Sequence, residues 1–258
     1  MVCAEWWGLE VNIFVAGMIG VSSLAAFTLM YTVLTLLYTL PLCISITAGT
    51  RVGNAVGEQD IPQAQRLSVM IMSLAIGIQS ALALGLYVTQ DWWPYLFTTD
   101  EEVIDIVRDV TPIICVYIVI DSLQTSIGGI LRGSGKQALG AVSYVFSYYV
   151  VGLSLGLFFA FHFELNTKGL WMGTGCAAIS CLIILGGYFA FAMKWEKVVE
   201  ECQKRLEEKG TAKTNEEEMT EMGTADIEEE EAEEQYSPED VTSDAGQNDD
   251  LGEINAIS

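Results

Sequence analysis

The sequence predicts an all-α integral membrane protein, a six-transmembrane-helix bundle followed by an acidic cytoplasmic tail. Three observations carry that prediction. Of the 258 residues, 51 % are hydrophobic, and nearly all of these lie before Met193. They group into six apolar stretches, each long enough to cross a hydrocarbon core, which takes ~20 residues of α-helix. Charge is segregated as well. From Lys194 onward stand 22 of the 34 acidic and 6 of the 12 basic residues, a net −16, against −6 for residues 1–193. A chain this acidic lacks the basic surface that nucleic acid requires, so its expected surroundings are a lipid bilayer and no nucleic acid.

The six spans follow in order. The first, Val2–Gly20, contains CAEWWGLEVNIFVAG (Cys3–Gly17), in which two carboxylates, Glu5 and Glu10, interrupt an apolar helix. The second, Ala25–Ala48, sets Tyr31, Thr35 and Tyr38 at the i, i+4, i+7 spacing of one helix face. Leu67–Val88 is the third. Val103–Ser126, the fourth, lines up Tyr117, Asp121 and Gln124/Thr125 in the same way. Ala138–Phe161 and Gly169–Met193 complete the set. Polar connections at Val21–Leu24, Gly49–Arg66, Thr89–Glu102, Gly128–Gln137 and His162–Lys168 separate them. Pro41 and Pro112 fall inside predicted helices, where the missing backbone donor favours a kink. Gly128, Gly129, Gly133 and Gly135 suit close helix approach and a tight turn. The run RGSGK (Arg132–Lys136) is not a phosphate loop. Ile130 occupies the first required glycine position, and Gln137 stands where Ser or Thr is needed.

Loop charges set the expected orientation. Arg51 and Arg66 lie in the second connection, Arg132 and Lys136 in the fourth, and Lys194 and Lys197 after the sixth span. The first and third connections contain no Lys or Arg, and the fifth has only Lys168. Arg108 is an exception, neutralised by pairing with Asp105 and Asp109. By the positive-inside rule the N-terminus, the second and fourth connections and the tail are cytoplasmic. Trp92, Trp93 and Tyr95 then fall at the outer interface, where amphipathic aromatics sit.

Beyond Met193 the material changes. Acidic runs such as EEEEAEE (Glu228–Glu234) with few aromatics bury too little apolar surface to offset ordering entropy, so residues 194–258 read as a largely disordered tail. Lys194–Lys209 are compatible with a few turns of charged helix. The six cysteines have no C-x-x-C spacing and no metal-like pairing with the single His162. They read as small hydrophobes, and no metal or other cofactor is expected.

Glu5, Glu10 and Asp121 are the informative residues. An ionised acid at mid-membrane costs ~2.5–3.5 kcal/mol on insertion scales. Three together approach ~8–10 kcal/mol, the net stability of a whole domain. They must face a water-filled cavity, be paired, or be protonated, and no Lys or Arg lies at matching depth. A cavity acid that takes either a proton or a cation is the minimum chemistry of an exchanger. Five residues apart, Glu5 and Glu10 are turned ~140° from each other on an α-helix, so they share no narrow stripe. Tyrosines beside carboxylates suit an organic cation through cation–π attraction, worth ~0.5–2 kcal/mol.

Three stretches together resemble the multidrug and toxic compound extrusion (MATE) transporters. They are AEWWGLE (Ala4–Glu10), ITAGTRVGNAVGEQD (Ile46–Asp60), and GGILRGSGKQALGAVSYVFSYYVVGLSLGL (Gly128–Leu157) continuing to KGLWMG (Lys168–Gly173). Their order and spacing are similar to the C-terminal half of that family, its animal branch above all. The resemblance implies one six-helix lobe of a twelve-helix fold whose two lobes open alternately. It implies proton-coupled antiport of organic cations and other xenobiotics, without a bound cofactor, at the plasma membrane. Glu5, Glu10 and Asp121 correspond to the family's acidic cavity positions, Asp121 where animal relatives carry glutamate. Tyr31 and Tyr38 match aromatic cavity positions, and Trp6 of the EWW run completes the expected substrate and proton site. Thr32 stands where close animal relatives often carry another glutamate. The expected partners are the organic cation, the bilayer, and an N-terminal lobe or second chain to supply the other half of the cavity. A second reading is a truncated, non-transporting membrane protein or adaptor whose acidic tail recruits partners. An enzyme is not expected, because no nucleophile–base pair or metal cluster is present.

Overall fold

A computed structural model of the chain describes residues 2–208. These residues are helical almost throughout, and no strand occurs among them. The long helices are α1 (Val2–Ile19), α2 (Val21–Gly57), α3 (Ile61–Val88), α4 (Glu101–Gly133), α5 (Gln137–His162) and α6 (Asn166–Ala192). A shorter helix, α7, covers 195–208. The helices α5 and α6 loosen into wider π-type turns at Phe146–Gly152, Phe158–His162 and Tyr188–Ala192. Two compact units divide the chain at Gln203/Lys204. In the first unit α7 packs its Val198 against the bundle and donates from Gln203 Nε2 to the Gly57 carbonyl at 2.9 Å. Of the second unit only 204–208 are described, and they are helical. The disorder expected further along the tail lies outside the described residues.

Four helices are long and apolar enough to cross a membrane: α2, α3, α5 and α6. The two that are not among them, α1 and α4, carry Glu5, Glu10 and Asp121. Polar cost is thus concentrated in the helices that build the site.

One of the expected connections is helical instead, and a second, Gly49–Arg66, is helical except at residues 58–60. Residues Val21–Leu24 belong to α2, which is separated from α1 by Gly20 alone, and α2 runs on to Gly57. Gly49 and Gly53 of this stretch of α2 are contact glycines. A Cβ on Gly49 would meet the Gly129 carbonyl at 3.3 Å, and one on Gly53 would meet the Gly133 carbonyl at 3.2 Å. From the other side, a Cβ on Gly129 would collide with the Ser45 carbonyl and one on Gly133 with the Gly49 carbonyl. The contacts advance together along both chains, so α2 and α4 run parallel, backbone against backbone, as small residues allow in a membrane. Asp60 caps α3, accepting from Gln63 N at 2.9 Å, with Pro62 in the first turn. Helices α2 and α4 pass through Pro41 and Pro112 without a break.

Arg132, expected in a loop, sits in the last turn of α4. The RGSGK run is that helix's terminus. Gly135 takes a left-handed φ of 72°, while Lys136 N donates to the Leu131 carbonyl and Gly135 N to the Arg132 carbonyl, at 2.8 and 3.1 Å. At the opposite end of the bundle Arg108 pairs with Asp91 at 3.2 Å and Asp105 at 3.4 Å. Asp109, expected to share that arginine, faces Lys168 at 3.8 Å.

The antiparallel α5–α6 hairpin uses the same device. A Cβ on Gly173 would strike Gly156, one on Gly169 would reach Ala160 N at 2.5 Å, and one on Gly152 would reach the Ala177 Cβ at 2.7 Å. Two apolar clusters fill the bundle, one around Phe27, Ile114 and Trp171, the other around Val52, Ile130 and Leu185. We expect Gly133→Ala and Gly173→Ala each to cost about 1–3 kcal/mol, the range for overpacking a tight contact. Gly77→Ala, whose Cβ meets nothing within 4 Å, should leave stability unchanged or raise it. Thermal unfolding in detergent, followed by circular dichroism, separates the two classes.

Candidate functional site

Glu5 points inward from the first turns of α1 and is only 2 % exposed; Asp121, midway along α4, is 3 % exposed. Their carboxyls lie side by side in the bundle, close enough to interact directly. Among the described residues no Lys or Arg forms an ion pair with either. Burial without a counter-charge is tolerated only if the carboxyls are hydrogen-bonded, share a proton, or hold a cation.

Hydrogen bonds fix the pair. Tyr148 Oη of α5 donates to Glu5 Oε1 at 2.8 Å, and Tyr117 Oη of α4 donates to the same oxygen at 3.2 Å. Gln124 Nε2 donates to Asp121 Oδ1 at 2.7 Å and to Tyr148 Oη at 2.6 Å. One amide therefore aims both the second carboxyl and the tyrosine that holds the first. Tyr117 belongs to one apolar cluster and Tyr148 to the other, so Glu5 is gripped at the seam between them. Tyr144 stacks on Tyr148, ring centroids 5.9 Å apart, and keeps that hydroxyl in place. Four buried oxygens in this layer have no hydrogen-bond partner: Glu5 Oε2, Gln124 Oε1, Thr125 Oγ1 and Tyr38 Oη. Each such group costs ~1–3 kcal/mol if left unsatisfied, an expense found where a site binds something.

Glu10 is elsewhere. It is exposed, and it accepts from Tyr31 Oη at 3.1 Å. The angular separation read from the sequence puts one glutamate inside the bundle and the other on its open face. Trp6 stands between them. Its ring meets Tyr31 at 5.6 Å and Tyr38 at 5.5 Å, both edge-on at 77°. The α2 stripe is split accordingly. Tyr31 is half-buried, Tyr38 is buried, and Thr35 is exposed with its hydroxyl returned to the Tyr31 carbonyl at 2.8 Å. Thr32 is exposed too, and ties its hydroxyl to the Thr28 carbonyl at 2.9 Å.

Sequence reasoning named all six of these residues, and the structure gathers them into two adjoining parts. Glu5, Asp121 and Tyr38 share the buried part; Glu10, Tyr31 and Trp6 share the open one. Sequence reasoning overlooked Tyr148, whose signal was the i, i+4 pair Tyr144/Tyr148 in a predicted membrane helix. The Asn12–Thr174 bond, Nδ2 to Oγ1 at 3.3 Å across α1 and α6, was likewise unannounced. Among the described residues no group of three His, Cys, Asp or Glu side chains is placed to hold a metal ion.

Comparison with known proteins places this geometry. Human multidrug and toxin extrusion protein 1 is 35 % identical over 204 residues, which cover 79 % of this chain and 35 % of that protein. Rabbit (Oryctolagus cuniculus) multidrug and toxin extrusion protein 2 is 35 % identical over 207 residues, covering 79 % and 34 %. The chain thus spans about a third of the length of the curated relatives it matches. Among solved structures, the eukaryotic MATE transporter AtDTX14 superimposes with a TM-score of 0.75 at 25 % identity, over 80 % of this chain and 46 % of that one. An outward-facing multidrug resistance MATE transporter shares the fold, with a TM-score of 0.69 at 14 % identity over 74 % and 42 %. The MatE family model matches residues 1–158, more than half of the chain. The chain belongs to the MatE family, whose members are transporters and not enzymes.

Proposed function

We propose that this chain forms the C-terminal lobe of a proton-coupled antiporter that expels organic cations by alternating access. All six long helices cross the membrane in this reading, α1 and α4 being sheltered by their neighbours. The N-terminus and tail face the cytoplasm, and the membrane is the plasma membrane. An N-terminal lobe, or a second chain, supplies the other wall of the cavity. The observation that carries the reading is the Glu5–Asp121 pair, two buried carboxyls close enough to interact, neither of them ion-paired to a Lys or Arg among the described residues. Such a pair holds one proton readily and two negative charges only at high cost. Exchange follows from that preference: a proton is kept when the site is dry, and is given up when the cavity opens to water on the other side.

The open part suits the substrate. Glu10 supplies charge, while Trp6 and Tyr31 supply ring faces and edges around a flat or quaternary cation. Substrate and proton therefore occupy neighbouring groups rather than one carboxylate. Coupling would run through Trp6 and Tyr38, whose rings touch across the boundary.

Uptake of ethidium into proteoliposomes under an imposed pH gradient tests the reading. Flux should collapse with the gradient, and Glu5→Gln or Asp121→Asn should abolish it while the protein remains folded. Glu10→Gln should weaken ethidium binding about fivefold, as expected for an exposed charge contact of ~1 kcal/mol, with the gradient dependence retained. If the chain alone is silent and adding an N-terminal lobe restores flux, the site is divided between the two halves. Ethidium movement that ignores the gradient would remove proton coupling from the proposal.

A further inference from the structure

Arg132 is half-buried, and among the described residues no carboxylate pairs with it. It sits in the last turn of α4, where Nη2 donates to Ser45 Oγ at 2.8 Å. Ser45 is fully buried on α2 and donates in turn to the Thr125 carbonyl at 2.6 Å. Gly129 makes room for that serine, because a Cβ there would stand 2.7 Å from Ser45 Oγ. One end of the guanidinium is thus anchored, while its other N–H donors meet no partner among the described residues. Lys136 and Arg108, in contrast, have Glu201 and Asp91. Arginine stays charged at any working pH, and its planar fork matches a carboxylate or a phosphate.

The cavity beside Arg132 indicates the side from which such a partner comes. It encloses about 340 Å³ and is lined by Arg132 with Ser45, Ile46, Gly49 and Thr50. Tyr31, Tyr38 and Ser45 follow one another at intervals of seven residues on α2. They lie along one flank of that helix, drifting only ~20° per step. Tyr31 is the residue that holds Glu10. The open part of the site and the Arg132 cavity therefore share a side of the bundle. Beside that flank runs an exposed row on one helix face: Thr28, Thr32, Thr35, Thr39, Ile46 and Thr50. Its threonines return their hydroxyls to the carbonyls four residues earlier, so the row is neutral and offers Arg132 no counter-charge. A second cavity, of about 430 Å³, opens on the same row at Thr28 and Thr32.

We propose that Arg132 receives a carboxylate side chain of the N-terminal lobe, an ion pair that closes the cytoplasmic end of the cavity between the lobes. The inference rests on the two-lobe reading and adds a named contact to it. A lobe that covers Glu10 also covers Arg132, since one flank of α2 carries both. A lipid phosphate fits the guanidinium as well, but to reach it the lipid has to enter the space between the lobes. The pair forms as the cytoplasmic side shuts and breaks as that side opens. Between those states Ser45 keeps the fork aimed into its cavity, so little side-chain freedom is lost each time the pair re-forms.

The test is co-expression of the full chain with the N-terminal lobe of human multidrug and toxin extrusion protein 1, followed by titration of the purified pair in detergent. Arg132→Gln should raise the apparent Kd about tenfold, between the effects of exposed and of fully buried charge pairs. Arg132→Lys keeps the charge but loses the fork, and should recover only part of the affinity. Raising NaCl from about 0.05 to about 0.5 M should weaken the unmodified pair more than the Arg132→Gln pair. Arg66→Gln removes the same charge from an exposed position outside the cavity and should change the Kd less than about twofold. If Arg132→Gln does not fold, Arg132→Lys and Ser45→Ala, which frees the fork, carry the same comparison. The contact is overturned if the folded Arg132 variants bind the lobe as tightly as the unmodified chain, an outcome that leaves the two-lobe reading standing. It is overturned equally if Arg132→Gln loses affinity only for vesicles containing phosphatidic acid, which makes the site a lipid site. If the unmodified chain does not bind the lobe, the two-lobe reading fails, and the contact fails with it.

Discussion

The seam between α2 and α4 is the contact on which the remaining architecture depends. Ser45, Gly49 and Gly53 face Gly129 and Gly133 so closely that a single added methyl at either α4 glycine would enter the opposing backbone. In hydrocarbon the attraction between helices is packing and hydrogen bonding rather than escape from water, so near approach is the main source of grip. The seam is also a ruler. Because the helices run parallel and in register, Tyr38 is brought beside Asp121 and Thr125, and Ser45 beside Arg132. Slip the register by one turn and both pairs are lost.

Around that ruler the bundle places a polar layer between two apolar clusters. Glu5, Asp121 and Gln124 occupy the layer, tied by tyrosines rooted one in each cluster. Apolar packing above and below excludes water and strengthens every interaction inside the layer, as low dielectric does. The same packing makes unpaired oxygens expensive, and four of them lie in this layer. Side-chain geometry also divides the labour. Glu10 and Tyr31 are open, Glu5 and Asp121 are closed in, and Trp6 with Tyr38 forms the wall between them.

Much of this was legible in the sequence, and the failures have physical causes. The apolar runs and the carboxylates inside them announced membrane helices built round a polar site. Helical spacing put Tyr117 on the face of Asp121 and turned Glu5 away from Glu10. The stretch Gly49–Gly57, expected as a polar connection, is helical, because Gly49 and Gly53 serve packing. In water-exposed chain glycine loosens a turn, whereas in a membrane helix it removes bulk, and the sequence is the same for both. Gly135, with its left-handed φ, is the turn glycine; Gly129 and Gly133 are the packing ones. Arg132 was misplaced for the same reason, since α4 continues two turns past its apolar core once α2 covers it.

Membrane class, the segregated acidic tail, and the identity of the three costly carboxylates were determined by the sequence alone, because they follow from local composition and from the price of charge in hydrocarbon. Which carboxylates meet was decided only by tertiary structure. Glu5 and Asp121 are separated by more than a hundred residues, and nothing local distinguishes Glu10 as the one left facing outward. The choice is made by helix rotation, set where glycines let backbones touch, and by Tyr117, Tyr148 and Gln124 converging from other helices. Local pattern encodes which faces are polar; only packing determines which polar faces are brought together.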